Sequence, residues 1–164
     1  MTVAERFPPE VAEVLRAHGW HDGRRVAEEQ TAAALRLVDE QVGAHGHRHA
    51  PFPAAVDALA EFGGLYVTQD GSGRDLRRRP FAIDPTMAAG SAETLADLAG
   101  VIGAALYPLG VEGDYDALLA VDDRGRVFAL DHAGEWFLGE TVAAALTTLI
   151  TGSQPHRVHD DGSF

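Results

Sequence analysis

The chain has 164 residues, enough for one domain that buries about 70% of its unfolded-chain surface. It contains no cysteine, which excludes a disulfide framework, a thiolate zinc site, a CxxC redox pair and a cysteine nucleophile. Its formal net charge of −12 repels phosphate backbones, which argues against direct nucleic-acid binding; the acidity serves solubility as readily as it suits a macromolecular partner, which would be basic.

Charges are scattered through the N-terminal segment, which lacks the apolar run of about 7 to 15 residues of a signal peptide. The apolar stretches Leu98–Leu109 and Val142–Ile150 are interrupted and fall short of the roughly 20 residues that cross a bilayer. The expectation is a cytoplasmic protein with no membrane partner. All thirteen basic residues are arginine, the imprint of a GC-rich genome rather than of function.

Along the chain, Phe7, Val11, Val14, Leu15 and His18 recur at helical spacing behind Pro8 and Pro9, and Gly19 ends that helix. Trp20 follows where a large side chain folds back on the last turn. Thr31, Leu35, Val38 and Val42 form the stripe of a second helix over Ala27–Val42, stopped by Gly43. AHGHRHAP reads as a loop, and a third helix runs from Pro53 to the stop at Gly63 and Gly64. Leu65–Gln69 is rich in β-formers and runs into the turn Asp70-Gly71-Ser72-Gly73, so it reads as a strand. The basic run Arg74–Arg79 follows on a loop. Phe81–Ile83 is a second short strand, and Asp84-Pro85 opens a helical turn through Ala89. Ser91 is the expected N-cap of a helix over Ala92–Ile102.

From Ala105 the pattern is sheet-like, with strands at Leu106–Leu109, Ala117–Val121, Val127–Asp131 and Glu135–Leu138. The middle pair is joined by Asp122-Asp123-Arg124-Gly125, a hairpin signal that makes them antiparallel. A last helix covers Thr141–Thr151. Ser153–Phe164 has no periodicity and reads as a disordered tail outside a single domain of residues 1–152. Helices flanking a run of adjacent strands define an α+β fold with a mainly antiparallel central sheet packed by helices.

Five segments, in this order and spacing, resemble the SUKH superfamily and specifically its third immunity-protein branch. They are VAEVLRAHGWHDGR, EFGGL at Glu61–Leu65, PFAIDPTMA from Pro80, LYPLG at Leu106–Gly110 and LLAVDDRGRVF from Leu118. The resemblance spans about Phe7–Thr151. It implies an α+β fold with helices on a sheet, and protection of a bacterial cell against a polymorphic toxin, often a nuclease or nucleic-acid deaminase, by direct binding. It carries over no catalytic residue and no cofactor. The HGHRH loop and the acidic tail have no counterpart in it.

No motif in the chain has the spacing of a known catalytic centre. His45, His47 and His49 alternate in a loop, but three such ligands converge on one metal only if the segment is extended, and solvent-exposed histidines are the simpler reading. Gly71-Ser72-Gly73 fails the dinucleotide fingerprint because Leu76 stands at the third glycine position, and without lysine there is no Walker-type loop. The serines at 72, 91, 153 and 163 lie outside any GxSxG, and no HExxH occurs. Asp131 beside His132, and His21 beside Asp22, are adjacent residues in turns and poor acid-base pairs.

Between Val111 and Glu140, eight acids face only Arg124 and Arg126. Solvated turns explain this as readily as a docking surface does. As a surface, its expected partner-binding residues are Glu112, Asp114, Tyr115, Asp116, Asp122, Asp123 and Trp136. Tyr115 would be an aromatic anchor among rim charges, and Trp136, next to Phe137 on a strand, an exposed one unless both sheet faces are covered. The expected function is therefore a non-enzymatic immunity protein that binds a basic toxin domain. The alternatives are a metal-dependent enzyme or small-molecule binder using the histidine loop, and a regulatory adaptor.

Overall fold

The computed structural model describes residues 6–164. Its helices are α1 (Pro9–Ala17), α2 (Glu28–Asp39), α3 (Pro53–Phe62), a 3₁₀ segment (Pro85–Ser91), α4 (Ala92–Ile102) and α5 (Val142–Thr151). Its strands are β1 (Tyr66–Val67), β2 (Phe81–Ala82), β3 (Leu106–Glu112), β4 (Ala117–Asp122), β5 (Val127–Asp131), β6 (Gly134–Gly139) and β7 (His156–Arg157). The strands form one sheet in sequence order, each antiparallel to the next. This is the expected α+β class.

Both faces of the sheet are covered. On one, Phe7, Leu15, Trp20, Leu59, Phe62 and Leu146 of the surrounding helical layer pack on Leu109, Leu119, Ala129 and Leu138. On the other, Leu95 and Leu98 of α4 pack with Leu106, Ala120, Phe128, Leu130 and Val158. Two covered faces explain why β3, β4 and β5 are apolar almost continuously rather than in alternation. They also resolve the Trp136-Phe137 pair, because Trp136 joins the first layer and Phe137 the second.

Local chemistry sets the element ends. Asp84 accepts from the Thr86 N–H (3.0 Å) at the start of the 3₁₀ segment, and Thr141 accepts from the Ala144 N–H (3.1 Å) at the start of α5. A Cβ at Gly110 would stand 1.9 Å from the Ala82 carbonyl oxygen, so only glycine lets β3 lie beside β2 at the bulge after Pro108. The Gly71-Ser72-Gly73 turn is a hairpin closed by the Ser72–Arg77 bridge, and it seats on the end of α5. There the Arg74 N–H donates to the Thr151 carbonyl, and the N–H groups of Asp75 and Leu76 donate to that of Gly152, all at 2.9 Å. The arginine run thus lies at a helix C-terminus, where the dipole favours cations.

Several expectations differ from the structure. The second helix stops at Asp39 because Val42 leaves it to bridge Arg48 across the histidine loop. Ser91 does not cap α4; its hydroxyl donates to the Ala88 carbonyl at 2.5 Å. Residues 153–164, expected as a disordered tail, lie on the sheet. There β7 pairs with β6, Val158 is buried, and Phe164 stacks on Phe137 with ring centroids 4.5 Å apart. The second layer explains this: α4 alone leaves Phe137 uncovered.

Candidate partner-binding site

A meander places the β3–β4 and β5–β6 turns at one end of the sheet and the β4–β5 turn at the other. At the first end, Glu112 closes β3 and Asp114, Tyr115 and Asp116 form the tip. Tyr115 is 62% exposed, and its φ of 61° is the one left-handed value at a non-glycine residue among the described residues. That conformation costs about 1–2 kcal/mol for an L-residue. Arg79 holds the base of the tip, donating to Glu112 at 2.8 Å and to Asp116 at 3.5 Å. Burial pushes the Glu112 carboxyl above the ordinary glutamate range; Arg79 opposes this, while Asp131 and Asp116 add to it.

Beside the tip, the β5–β6 turn presents Asp131. Its Oδ1 accepts from the N–H groups of Ala133 (2.8 Å) and Gly134 (3.0 Å) and from the Trp136 indole (3.2 Å). Trp136 is half-buried, with the Arg157 guanidinium 5.3 Å from its ring centroid. Between β5, β6, the end of α5 and the arginine loop lies a cavity of about 410 Å³. Arg79, Glu112, Asp131 and Trp136 line it together with Ala129, Leu138 and Leu149.

The structure therefore brings together Glu112, Asp114, Tyr115, Asp116 and Trp136, and separates them from Asp122 and Asp123. Those two lie at the far end of β4, whose six residues span about 20 Å. Asp123 is exposed there. Asp122 is corrected as a contact residue, because it is 0% exposed and fully engaged. Its carboxylate accepts from the N–H groups of Arg124 (3.0 Å) and Arg126 (2.8 Å) and from Arg126 Nε at 2.6 Å. Sequence reasoning missed Arg79 and Asp131 as parts of the site. The signal was available, since alternate turns of an antiparallel run share one end.

The histidine loop is a closed turn, with the Gly43 N–H donating to the His47 carbonyl at 2.8 Å. His45 and His47 face Glu93 of α4: the His45 N–H donates to it at 2.7 Å, and the His47 ring bonds it directly. His49 instead turns inward, where its Nε2 donates to the Ala89 carbonyl at 2.9 Å and burial lowers its pKa. The three rings do not converge. His21 bonds the Asp22 carbonyl rather than its carboxylate, and Asp131 bonds its own turn rather than His132.

An antiparallel meander with helices on both faces and an acidic, aromatic tip defines a small α+β domain. The model of the SUKH-3 immunity protein family matches residues 7–152, and the chain belongs to that family. Comparison with curated proteins and with solved structures gave no match. Membership implies toxin immunity through a bound toxin partner. No described helix is long and apolar enough to cross a membrane.

Proposed function

We propose that this chain neutralises a cognate bacterial toxin, a nuclease or nucleic-acid deaminase acting in the cytoplasm, by direct stoichiometric binding and without turnover or cofactor. The observation that carries the reading is Tyr115, an exposed aromatic in left-handed backbone between Asp114 and Asp116. Strain concentrates at functional sites, and a large aromatic ringed by charges has the make-up of an interface anchor. Enzymes that act on nucleic acid carry basic grooves, and an acidic tip steers such a partner, raising encounter rates about 10- to 10³-fold. The contact surface runs from Asp114, Tyr115 and Asp116 through Glu112 to Trp136 and covers a total of about 1,600 Å². It touches neither nucleic acid nor membrane.

Co-expression with toxin domains encoded beside this gene tests the reading. Growth is rescued by the intact chain but not by Leu119→Asp, which puts a charge into the core. Joint neutralisation by Glu112→Gln, Asp114→Asn and Asp116→Asn slows association with that toxin and flattens its salt dependence. Unchanged association kinetics reject the surface, and protection against none of the neighbouring toxins rejects the function.

A further inference from the structure

We propose that the cavity beside the tip is a socket for one cationic side chain of the partner, an arginine or lysine. Its stem would lie along Ala129, Leu138 and Leu149, with its head against Asp131 and Glu112. The assignment rests on the immunity reading and adds to it the chemistry of the residue that the partner must supply.

Shape comes first. The volume of about 410 Å³ falls near the lower end of the range for ligand pockets, roughly 300–1,000 Å³. Its lining joins aliphatic Ala129, Leu138 and Leu149 to the acids Glu112 and Asp131, whose charges are near enough to interact. An apolar stem with a charged head matches that arrangement, and lysine and arginine are the side chains that have both.

Charge complementarity selects the same occupant. Glu112 and Asp116 share one guanidinium, that of Arg79. Asp131 has only neutral donors, all on Oδ1. Its Oδ2 accepts no hydrogen bond from the described residues. The other cation at the rim, Arg77, is turned to Asp70 at 2.6 Å. The tip acids are thus in excess of their internal partners, and an incoming cation relieves that excess. Trp136 already holds the Arg157 guanidinium against its ring, so the indole accepts this chemistry. Because Arg79 and Glu112 belong to both tip and cavity, a partner seated on Tyr115 has the socket within reach.

The test needs no toxin. The full chain is titrated with N-acetylarginine amide while the two indole N–H resonances are followed by NMR. Trp136 reports the socket; Trp20, 1% exposed and donating to Glu61, is the internal control. The expected result is a saturable shift of Trp136 alone, with N-acetylcitrulline amide, the neutral analogue, at least ~5-fold weaker. Asp131→Asn, whose amide oxygen still caps the turn, and Glu112→Gln each weaken the arginine probe while the rest of the spectrum stays in place. Equal binding of the neutral probe, equal binding by both variants, or no shift by about 100 mM probe overturns the socket. Rescue in co-expression together with a silent Trp136 removes the socket and leaves the immunity reading standing. Arginine binding by a chain that protects against no neighbouring toxin removes the toxin as its occupant.

Discussion

Two turns of the same sheet, both acidic and both glycine-containing, have opposite fates. At the β4–β5 turn, Asp122 is buried and spends its carboxylate on two backbone N–H groups and Arg126. At the β3–β4 turn, Tyr115 is exposed in a strained conformation, and the surrounding acids share one arginine. The comparison separates two uses of aspartate that composition cannot tell apart. One closes a turn from inside, and the other leaves charge facing outward. Local charge density is therefore a poor guide to a binding face until the turns have been assigned to ends of the sheet.

The largest expected effect breaks the settled end. Asp122→Ala leaves the partly buried Arg126 head and two N–H groups without their acceptor, and breaking a buried pair costs about 3–5 kcal/mol, the lower end applying here. Asp114→Ala, at the exposed end, stays within about 0.5 kcal/mol. Urea unfolding of the two variants measures the contrast, and similar losses would erase the distinction. Next in size is Phe164→Ala, which uncovers Phe137 and Phe128 on the second face. It costs about 1–2 kcal/mol in the same assay. A neutral result would mean that the terminal segment does not hold that face.

Much of this architecture was legible because local signals carried it. The bounds of α4 and β5 follow from apolar spacing and from the Asp-Asp-Arg-Gly turn, and those of α5 from its apolar face to within one residue. Terminal strand β7 was not legible. Two residues have no period, and the contacts that place the segment come from β6 and from Phe137, roughly twenty residues away or more. The site was half legible: Tyr115 and its flanking acids stood out as a loop signature. Asp122 was misread because the partner that buries it is an arginine four residues on, which in sequence looks like part of the same solvated turn. Arg79 was read as part of a basic run, and only the β2–β3 pairing brings it to Glu112.

A smaller effect has two signs. Tyr115→Gly relieves the left-handed backbone and raises stability by up to about 1 kcal/mol. The same change removes the proposed anchor and weakens toxin binding by about 2 kcal/mol or more. Calorimetric unfolding and titration of the purified complex give both numbers. Losses in both would make the residue part of the scaffold, like Asp122, and gains in both would make it neither.

The smallest effect is a pH dependence at the boundary between the two uses. Glu112 is buried enough for desolvation to raise its pKa, against the opposing pull of Arg79 and with further repulsion from Asp131 and Asp116. In the unfolded chain it titrates near the ordinary value of 4.5. The folded state therefore holds the proton to higher pH, and the native chain binds more protons in the window that opens at that value. Stability from this group is greatest below the window and falls as pH rises through it. Asp70, Glu93 and Asp161 have lowered values and act in the opposite sense, losing stability as pH falls. Taking the difference between wild type and Glu112→Gln at each pH cancels them. That difference declines as pH rises through this window. A flat curve would mean that Arg79 compensates the burial completely, and the tip would then be as settled electrostatically as the far end of β4.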